Sequence, residues 1–195
     1  MSKKTYLAAA IVGALFATSA TLAPAIAQDK MKGEKTVMVG GAPMFPSKNI
    51  VENAVNSKDH TTLVAAVKAA GLVDTLQSAG PFTVFAPVNA AFAKLPAGTV
   101  DTLLKPENKG TLTTVLTYHV VPGRLTAANL MKAVKDGGGQ AKFKTVAGGE
   151  ITVTSPSTGK LTITDVKGGT SSVTIGDVLQ SNGVIHVVNS VLLPS

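Results

Sequence analysis

The sequence contains no cysteine and no tryptophan. Without cysteine, the chain cannot use a thiol nucleophile, form a disulfide bond or bind a metal through sulfur. Aromatic residues make up only 4% of the chain, and none is interleaved with a run of basic residues. A nucleic-acid-binding surface normally needs that combination, so we expect no nucleic-acid partner.

Histidine is also scarce: His60, His119 and His186 are each isolated in the sequence. A metal site would need all three to converge in space, because no His-x-His or His-x-x-x-His pair occurs. The sequence also lacks a Gly-x-Ser-x-Gly nucleophile motif and a glycine-rich loop that leads into Lys-Ser or Lys-Thr. A pair of glycosidase carboxylates has no signal in the sequence. We therefore expect no metal, no cofactor and no enzymatic activity.

The first 27 residues have the pattern of a secretory signal peptide. A basic start with Lys3 and Lys4 precedes the apolar run 7–20, and Ala25-Ile26-Ala27 ends the segment. The run is short for a membrane span, whereas the small-x-small ending is typical of a cleavage site. We predict cleavage after Ala27 and export to the periplasm, the medium or the cell surface. No later segment is apolar for long enough to span a membrane, so we expect no transmembrane segment in the mature chain.

The remaining chain predicts one domain of the α+β class. Residues 28–47 mix charges, glycine and proline without a sustained period, which predicts a leader that is flexible or lies along the domain, before a single domain at 48–195. Helical patterns occupy most of the region up to Gly139, and the pattern then changes to the two-residue period of strands. A short apolar run at 82–86 predicts a buried strand that completes the sheet. The formal charge of +7 falls to +5 without Lys3 and Lys4; the scattered lysines indicate a solvated surface or a weak attraction to anionic glycans or lipids.

The segment LTYHVVPG, residues 116–123, holds the sole tyrosine of the predicted mature chain. Counting from Leu112, His119 falls at i + 7 in an apolar helical series, and Tyr118 lies on its flank. Pro122 requires an extended residue before it, so the helix should end at or just after His119. This position favours a structural role for the pair over contact with a partner. It disfavours a catalytic pair, because no nucleophile or electrophile is nearby.

The other two histidines have contrasting surroundings. His186 lies on the same strand face as Val184 and Val188, which predicts a buried imidazole that binds a backbone carbonyl. His60 lies in the polar stretch Lys-Asp-His-Thr before a helix, which predicts an exposed position near the helix start. Neither context predicts catalysis.

Three segments in order resemble the fasciclin domain: GPFTVFAPVNAAFAKLP (80–96), LTYHVVPGRL (116–125) and NGVIHVVNSVLLP (182–194). The resemblance covers roughly residues 48–194. It implies several helices packed on a wedge-shaped, two-sheet antiparallel β core, a form of β-sandwich. It also implies structural roles for the residues of the family motifs, which are Thr83, Phe85, Pro87, Asn89, Phe92, Pro122, Gly123, Gly183 and His186.

The resemblance implies an adhesion role for the Tyr118-His119 segment, so both residues are candidate binding residues. The sequence departs from the family pattern at Val88, where a hydroxyl residue is usual, and at Ala90, where an acid is usual. We expect the loss of the hydroxyl to remove a helix cap, a part that Asn89 could take over. Asn189 replaces a frequent aspartate, which makes a charge-dependent contact there less favourable.

The resemblance implies an exported, non-enzymatic module that mediates adhesion through proteins or polysaccharides of the cell surface, envelope or extracellular matrix. The alternative is a periplasmic protein that binds a small ligand, or acts in envelope stress, on the same scaffold. No oligomerisation signal is visible in the sequence, so we expect a monomer.

Overall fold

A computed structural model of the chain describes residues 35–156 and 159–194. The predicted signal peptide, residues 1–27, lies outside the described residues. So does the first part of the predicted leader, residues 28–34.

The described chain begins with a two-stranded antiparallel hairpin, β1 (Val37–Val39) and β2 (Ala42–Met44). The last residue of each strand is buried in the core. Asn53 holds the chain after β2 with two bonds: its Oδ1 accepts from Phe45 N at 3.0 Å, and its Nδ2 donates to Phe45 O at 2.8 Å. From residue 35 onwards the leader therefore lies along the domain, the second of the two possibilities that the sequence left open. Strands of three residues are too short to show a two-residue period in the sequence.

The helices occupy the chain between this hairpin and the last third. The first helix begins with a capping box, in which Asn49 Oδ1 accepts from Glu52 N and Glu52 Oε2 accepts from Asn49 N. Such reciprocal bonds satisfy backbone donors that a helix start leaves free. In chain order the helices are α1 (Ile50–Ala54), a 3₁₀ turn (Lys58–His60), α2 (Thr61–Ala70), α3 (Val73–Gln77), α4 (Asn89–Phe92), α5 (Thr99–Leu103), a 3₁₀ turn (Pro106–Asn108), α6 (Lys109–Tyr118) and α7 (Ala127–Asp136).

The remaining strands form one sheet in the order β4-β3-β9-β8-β7-β6-β5. All neighbouring strands are antiparallel except β3 and β9, which are parallel. The early strand predicted at 82–86 thus pairs with the last strand of the chain. The strands are β3 (Phe82–Pro87), β4 (Val120–Pro122), β5 (Gln140–Lys144), β6 (Glu150–Thr154), β7 (Thr162–Thr164), β8 (Thr170–Gln180) and β9 (Gly183–Val188).

Strand β8 joins the two halves of this sheet. Its first residues, Thr170 to Ser172, pair with β7, and the residues from Val173 to Gln180 pair with β9. Register shifts on either side of Ile175 mark the change of partner, and such bulges bend a strand. The α+β class is confirmed, but the expected β-sandwich is wrong: a continuous, mostly antiparallel sheet replaces two stacked sheets because β8 belongs to both halves.

The sheet and helices enclose two apolar cores. Strand β3 contributes to both, because successive side chains point to opposite faces of a strand: Val84 and Ala86 enter one core and Phe85 the other. The helix-side core lies among α1, α2, α3, α6 and the sheet, and includes Ile50, Leu63, Val67, Leu76, Leu116 and Ile185. The strand-side core lies among α7 and β5 to β7, and includes Tyr118, Leu130, Val134, Ile151, Val153 and Ile163.

Candidate functional site

The Tyr118-His119 segment lies where the two cores meet. Helix α6 ends at Tyr118, and His119 is its C-terminal cap residue, as the position of Pro122 predicts. Leu116, two residues before Tyr118, packs in the helix-side core, whereas Tyr118 packs in the strand-side core. The segment therefore connects the two halves of the domain.

Tyr118 is fully buried, and its hydroxyl connects two hairpin turns. The phenol oxygen donates to Glu150 O at 2.6 Å and accepts from Val166 N at 3.2 Å. Burial raises the pKa of Tyr118, and the bond from Val166 N opposes this rise. Gly149 lies against the ring: a Cβ atom there would be 2.7 Å from Tyr118 Cε2, so a side chain would displace the tyrosine.

His119 is buried and has a partner for each ring nitrogen. Nδ1 lies 2.8 Å from Val115 O, and Nε2 accepts from Leu192 N at 2.9 Å. Only a neutral imidazole with its proton on Nδ1 satisfies both contacts. Burial lowers the pKa of His119 to about 4, against the opposing effects of the Val115 carbonyl and the Asp165 charge. At neutral pH the ring is therefore an uncharged connection between α6 and the C-terminal segment.

The predicted binding role of Tyr118 and His119 cannot be a direct contact, because both side chains are buried. Two exposed valines lie on the turns above them instead. Val146 is 46% exposed, and its backbone N–H donates to Val120 O at 2.8 Å. Val166, whose N–H binds Tyr118, is 52% exposed. An adhesion role for the segment stays a prediction, and it would act through the backbone that these residues hold.

Thr83 and His186 together fix the segment after β4. Thr83 Oγ1 donates to Gly123 O at 2.6 Å and accepts from Leu125 N at 2.9 Å. His186 Nε2 donates to Leu125 O at 2.8 Å, the carbonyl contact expected for this buried histidine. Its ring stacks on Phe85, with centroids 5.7 Å apart. Burial lowers the pKa of His186, and the bond to Leu125 opposes this. Nδ1 accepts from Asp177 N at 3.4 Å, so both ring nitrogens of His186 are bonded to the backbone.

The other residues of the family motifs support the sheet. Gly183 pairs with Phe82, and a Cβ at position 183 would lie 2.1 Å from Phe82 O, so only glycine fits. Pro87 ends β3 in a buried position, and Phe92 packs in the helix-side core. Pro122 ends β4 and is exposed.

Asn89 differs from its expected role as a cap for its own helix turn. Its Oδ1 accepts from Thr62 N at 3.0 Å, and its Nδ2 donates to Lys58 O and Thr61 Oγ1. The residue therefore caps the start of α2 from a distance. Val88, the residue before α4, provides no side-chain cap for this helix, as expected from the missing hydroxyl.

The side chain of Asn189 accepts a hydrogen bond that an aspartate could accept as well. Its Oδ1 accepts from Ser172 N at 2.9 Å, a bond in which only the oxygen atom matters. The backbone carbonyl of Asn189 accepts from Lys94 Nζ at 2.7 Å. The change from the family's aspartate therefore keeps this acceptor and removes a charge.

His60 was expected to be exposed, and this prediction is wrong: the residue is 3% exposed. Its Nδ1 lies 2.8 Å from Ser57 Oγ, which is also buried, and its Nε2 has no hydrogen bond within the described part of the chain. The sequence does carry a signal for burial, because His60, Leu63 and Val67 have the i, i+3, i+7 spacing of one helix face. The polar neighbours Lys58 and Asp59 hid that signal.

Asn182 is a second buried residue whose importance the sequence did not reveal. Its Oδ1 accepts from Ile50 N at 3.1 Å, and its Nδ2 donates to Leu76 O and Ser78 O. The residue thus fixes α1 and α3 to the turn before β9. The pair Asn182-Gly183 is typical of a turn, and these long-range bonds have no signal in the sequence.

Residues 35–156 and 159–194 contain no group of three histidine, aspartate or glutamate side chains placed to hold a metal ion. Within the same ranges, no helix is long and apolar enough to cross a membrane. The polar residues that the sequence singled out, with the exception of His60, hold backbone segments in place. The fold and these contacts define an α+β domain in which helices pack on a mostly antiparallel sheet and buried histidines serve as structural connections.

Comparison with known proteins identifies the family. The family model "Fasciclin domain" matches residues 58–194, and the chain belongs to the fasciclin-domain family. The protein sll1483 of Synechocystis sp. is 45% identical over 172 residues, which cover 88% of each chain. The immunogenic protein MPB70 of Mycobacterium bovis is 39% identical over 146 residues, 72% of this chain and 66% of that protein.

The fold is similar to a solved FAS1 domain pair from the insect cell adhesion molecule fasciclin I. The TM-score is 0.67 and the sequence identity is 19%, over 82% of this chain and 58% of that one. At this identity the likeness concerns the fold alone.

Proposed function

We propose that this chain is an exported, non-enzymatic adhesion module that contacts proteins or polysaccharides of the cell surface or matrix. Membership of the fasciclin family supports the proposal, as does the fold shared with an insect cell adhesion molecule. The signal-peptide pattern of residues 1–27 supports export.

The observation that carries the proposal is the pair of valine turns, residues 145–149 and 165–169. Both turns are tied to the same phenol, through the Glu150 carbonyl next to the first turn and through Val166 N in the second. Exposed apolar side chains are common singly, but these two lie on turns that the same phenol holds in place. The buried tyrosine thus presents Val146 and Val166 on a fixed backbone without touching the partner itself.

The charges beside the valine turns suggest the chemistry of the partner. Exposed Lys144 lies two residues before Val146, and exposed Lys167 directly follows Val166. Exposed Glu150 follows the first turn, but its carboxylate lies 3.9 Å from Lys142 Nζ. A surface with two apolar side chains and two adjacent cations suits a partner that has apolar patches and acidic groups. An acidic matrix protein or an anionic polysaccharide fits this description.

The structural histidines support a role without catalysis. His119 and His186 have both ring nitrogens engaged with backbone groups. Burial lowers the pKa of both residues, and no nucleophile stands among these contacts. A general base needs a free nitrogen within reach of a proton to be transferred, which neither ring offers.

Binding to immobilised matrix proteins and polysaccharides tests the proposal. We expect saturable binding by the unmodified chain, and a loss of about five-fold or more in affinity for the double variant Val146→Ser/Val166→Ser, as for residues at the centre of an interface. Met131→Ser is the matched control, because Met131 is 41% exposed on α7, away from the turns.

Two outcomes would count against the proposal. Absence of saturable binding, or recovery of the native protein only from the periplasm, would contradict adhesion. Equal effects of the double variant and the Met131 control would leave adhesion possible but contradict the valine turns as its surface.

A further inference from the structure

An apolar cavity lies between the helices and the N-terminal hairpin. It has a volume of about 70 Å³ and an almost wholly apolar lining, which includes Val39 and Met44 from the hairpin, Leu63 and Val67 from α2, and Leu76 from α3. A cavity of roughly 10–15 Å³ can already hold one water molecule. The space is therefore several times larger than an ordinary packing defect.

Water is a poor occupant of this space. An ordered water needs two or more polar partners, and cavities without them stay dry and take up apolar molecules of matching size. Protein interiors are otherwise close-packed. The size and lining of the cavity thus favour a compact apolar molecule.

His60 supplies one polar group at the wall of this cavity. Ser57 Oγ binds its Nδ1 at 2.8 Å, whereas Nε2 is buried without a hydrogen bond in the described chain. Burial lowers the pKa of His60, against the opposing effects of the Ala86 backbone and the Asp59 charge, so the neutral ring predominates at pH 7. The Ala86 carbonyl thus lies near the ring but does not meet hydrogen-bond geometry with Nε2. Buried polar atoms nearly always have a partner, so Nε2 is a group to which an occupant of the cavity can form a hydrogen bond.

The bond to Ser57 decides what Nε2 can do. If Ser57 donates to Nδ1, Nε2 carries the proton and donates; if Nδ1 donates to Ser57, Nε2 accepts. A ligand hydroxyl can complete the bond in both cases, because it both donates and accepts. A carboxylate is unfavourable, because it would bring an unpaired charge into an apolar space.

The lining also shows a way in. Val64 of α2 and Val73 of α3 are half-buried, and Lys68 and Thr75 beside them are exposed, yet all four line the cavity. Val146, which is exposed on the turn after β5, lines the cavity as well. The cavity therefore approaches solvent at α2 and α3 and at this turn.

We propose that this cavity is a binding site for a compact, uncharged apolar alcohol or phenol whose hydroxyl group bonds to Nε2 of His60. The proposal does not depend on adhesion through the valine turns, although Val146 of the first turn also lines the cavity. The alternative function that the sequence left open is the binding of a small ligand, and the proposal assigns a chemical class to that ligand.

Titration of the purified chain with cyclohexanol and with methylcyclohexane tests the proposal. The two probes are similar in size, and only the first has a hydroxyl. We expect cyclohexanol to bind roughly three- to ten-fold more tightly, the effect of one net hydrogen bond. Long-range ¹H–¹⁵N spectra should show the His60 Nε2 resonance moving with cyclohexanol and remaining still with methylcyclohexane.

Two variants separate the site from the fold. His60→Leu should make the affinities for the two probes equal, while Val67→Phe, which fills the cavity, should abolish both. Val55→Phe is the control, because Val55 is exposed and does not line the cavity. Equal affinities in the unmodified chain, no saturation by either probe, or binding that survives Val67→Phe would each overturn the proposal.

Discussion

Two regions of the domain each bury a neutral imidazole but differ in its hydrogen bonds. One is the joint, formed by Tyr118 and His119, and the other is the cavity wall at His60. His119 and His60 are each only 3% exposed to solvent. In the joint, every polar atom of the two side chains has a backbone partner. At the cavity wall, one ring nitrogen has none. The difference teaches that burial alone does not define a structural histidine; a complete set of partners does.

The positions of the two residues explain the contrast. His119 lies at the end of α6, where a helix leaves backbone carbonyls free, and the C-terminal segment crosses beside it to provide Leu192 N. His60 precedes α2, and no group of the described chain makes a hydrogen bond to its Nε2. Both histidines line the cavity, but only His60 has a ring nitrogen left for a ligand.

The largest expected effect is that of His119→Leu. The variant leaves Leu192 N–H and Val115 C=O buried without the ring, so we expect the free energy of unfolding to fall by about 2–5 kcal/mol. Urea denaturation measures the change. A loss below about 1 kcal/mol would mean that the joint is not a structural connection.

The second effect is the pH dependence of stability. The pKa of His119 is about 4 in the folded chain and 6.5 ordinarily, so the unfolded chain binds the additional proton between these values. Stability is then full above pH 6.5 and falls as the pH drops towards 4, by about 3 kcal/mol from this group. His119→Leu should flatten the urea-midpoint curve in this window; an unchanged slope would contradict the assignment.

A smaller effect is expected for Tyr118→Phe. The variant keeps the ring in the strand-side core but removes the bonds to Glu150 O and Val166 N, for a loss of about 1–2 kcal/mol. Amide hydrogen exchange at Val166 should become faster, and exchange at Val146 in the first turn, whose N–H donates to Val120 O, should change less. Protection of Val166 that survives the variant would show that Tyr118 does not hold the second turn.

The smallest effect is expected for His60→Leu, the matched counterpart of the first variant. The substitution removes an unsatisfied buried nitrogen, which is favourable, and leaves Ser57 Oγ without its partner, which is not. These contributions oppose each other, so we expect a change within about 1 kcal/mol in either direction. A loss as large as that of His119→Leu would erase the contrast between the two regions.

Much of the fold could be predicted from the sequence because its signals are local. The two-residue period of β5 to β8, the apolar run of β9 and the end of α6 before Pro122 depend on neighbouring residues. The hairpin before α1 could not be predicted in this way, because each of its strands buries a single residue that only the tertiary fold places in the core.

The sites were harder to predict than the elements. The family motif located Tyr118 and His119, but their partners at Glu150, Val166 and Leu192 are distant in sequence. The same holds for Asn89, which caps α2 from another helix. His60 was wrongly predicted to be exposed, because the adjacent charges outweighed its helical spacing with Leu63. The lack of a hydrogen-bond partner for its Nε2 has no signal in the sequence.

A pH series of long-range ¹H–¹⁵N spectra, assigned for the three histidines, tests the central contrast most directly. We predict that His119 is a neutral Nδ1–H imidazole that remains uncharged until the pH approaches 4. The His60 Nε2 resonance should instead have the shift of a nitrogen without a hydrogen bond. Protonation of His119 near pH 6.5, or a hydrogen-bonded Nε2 in His60 without added ligand, would contradict this account.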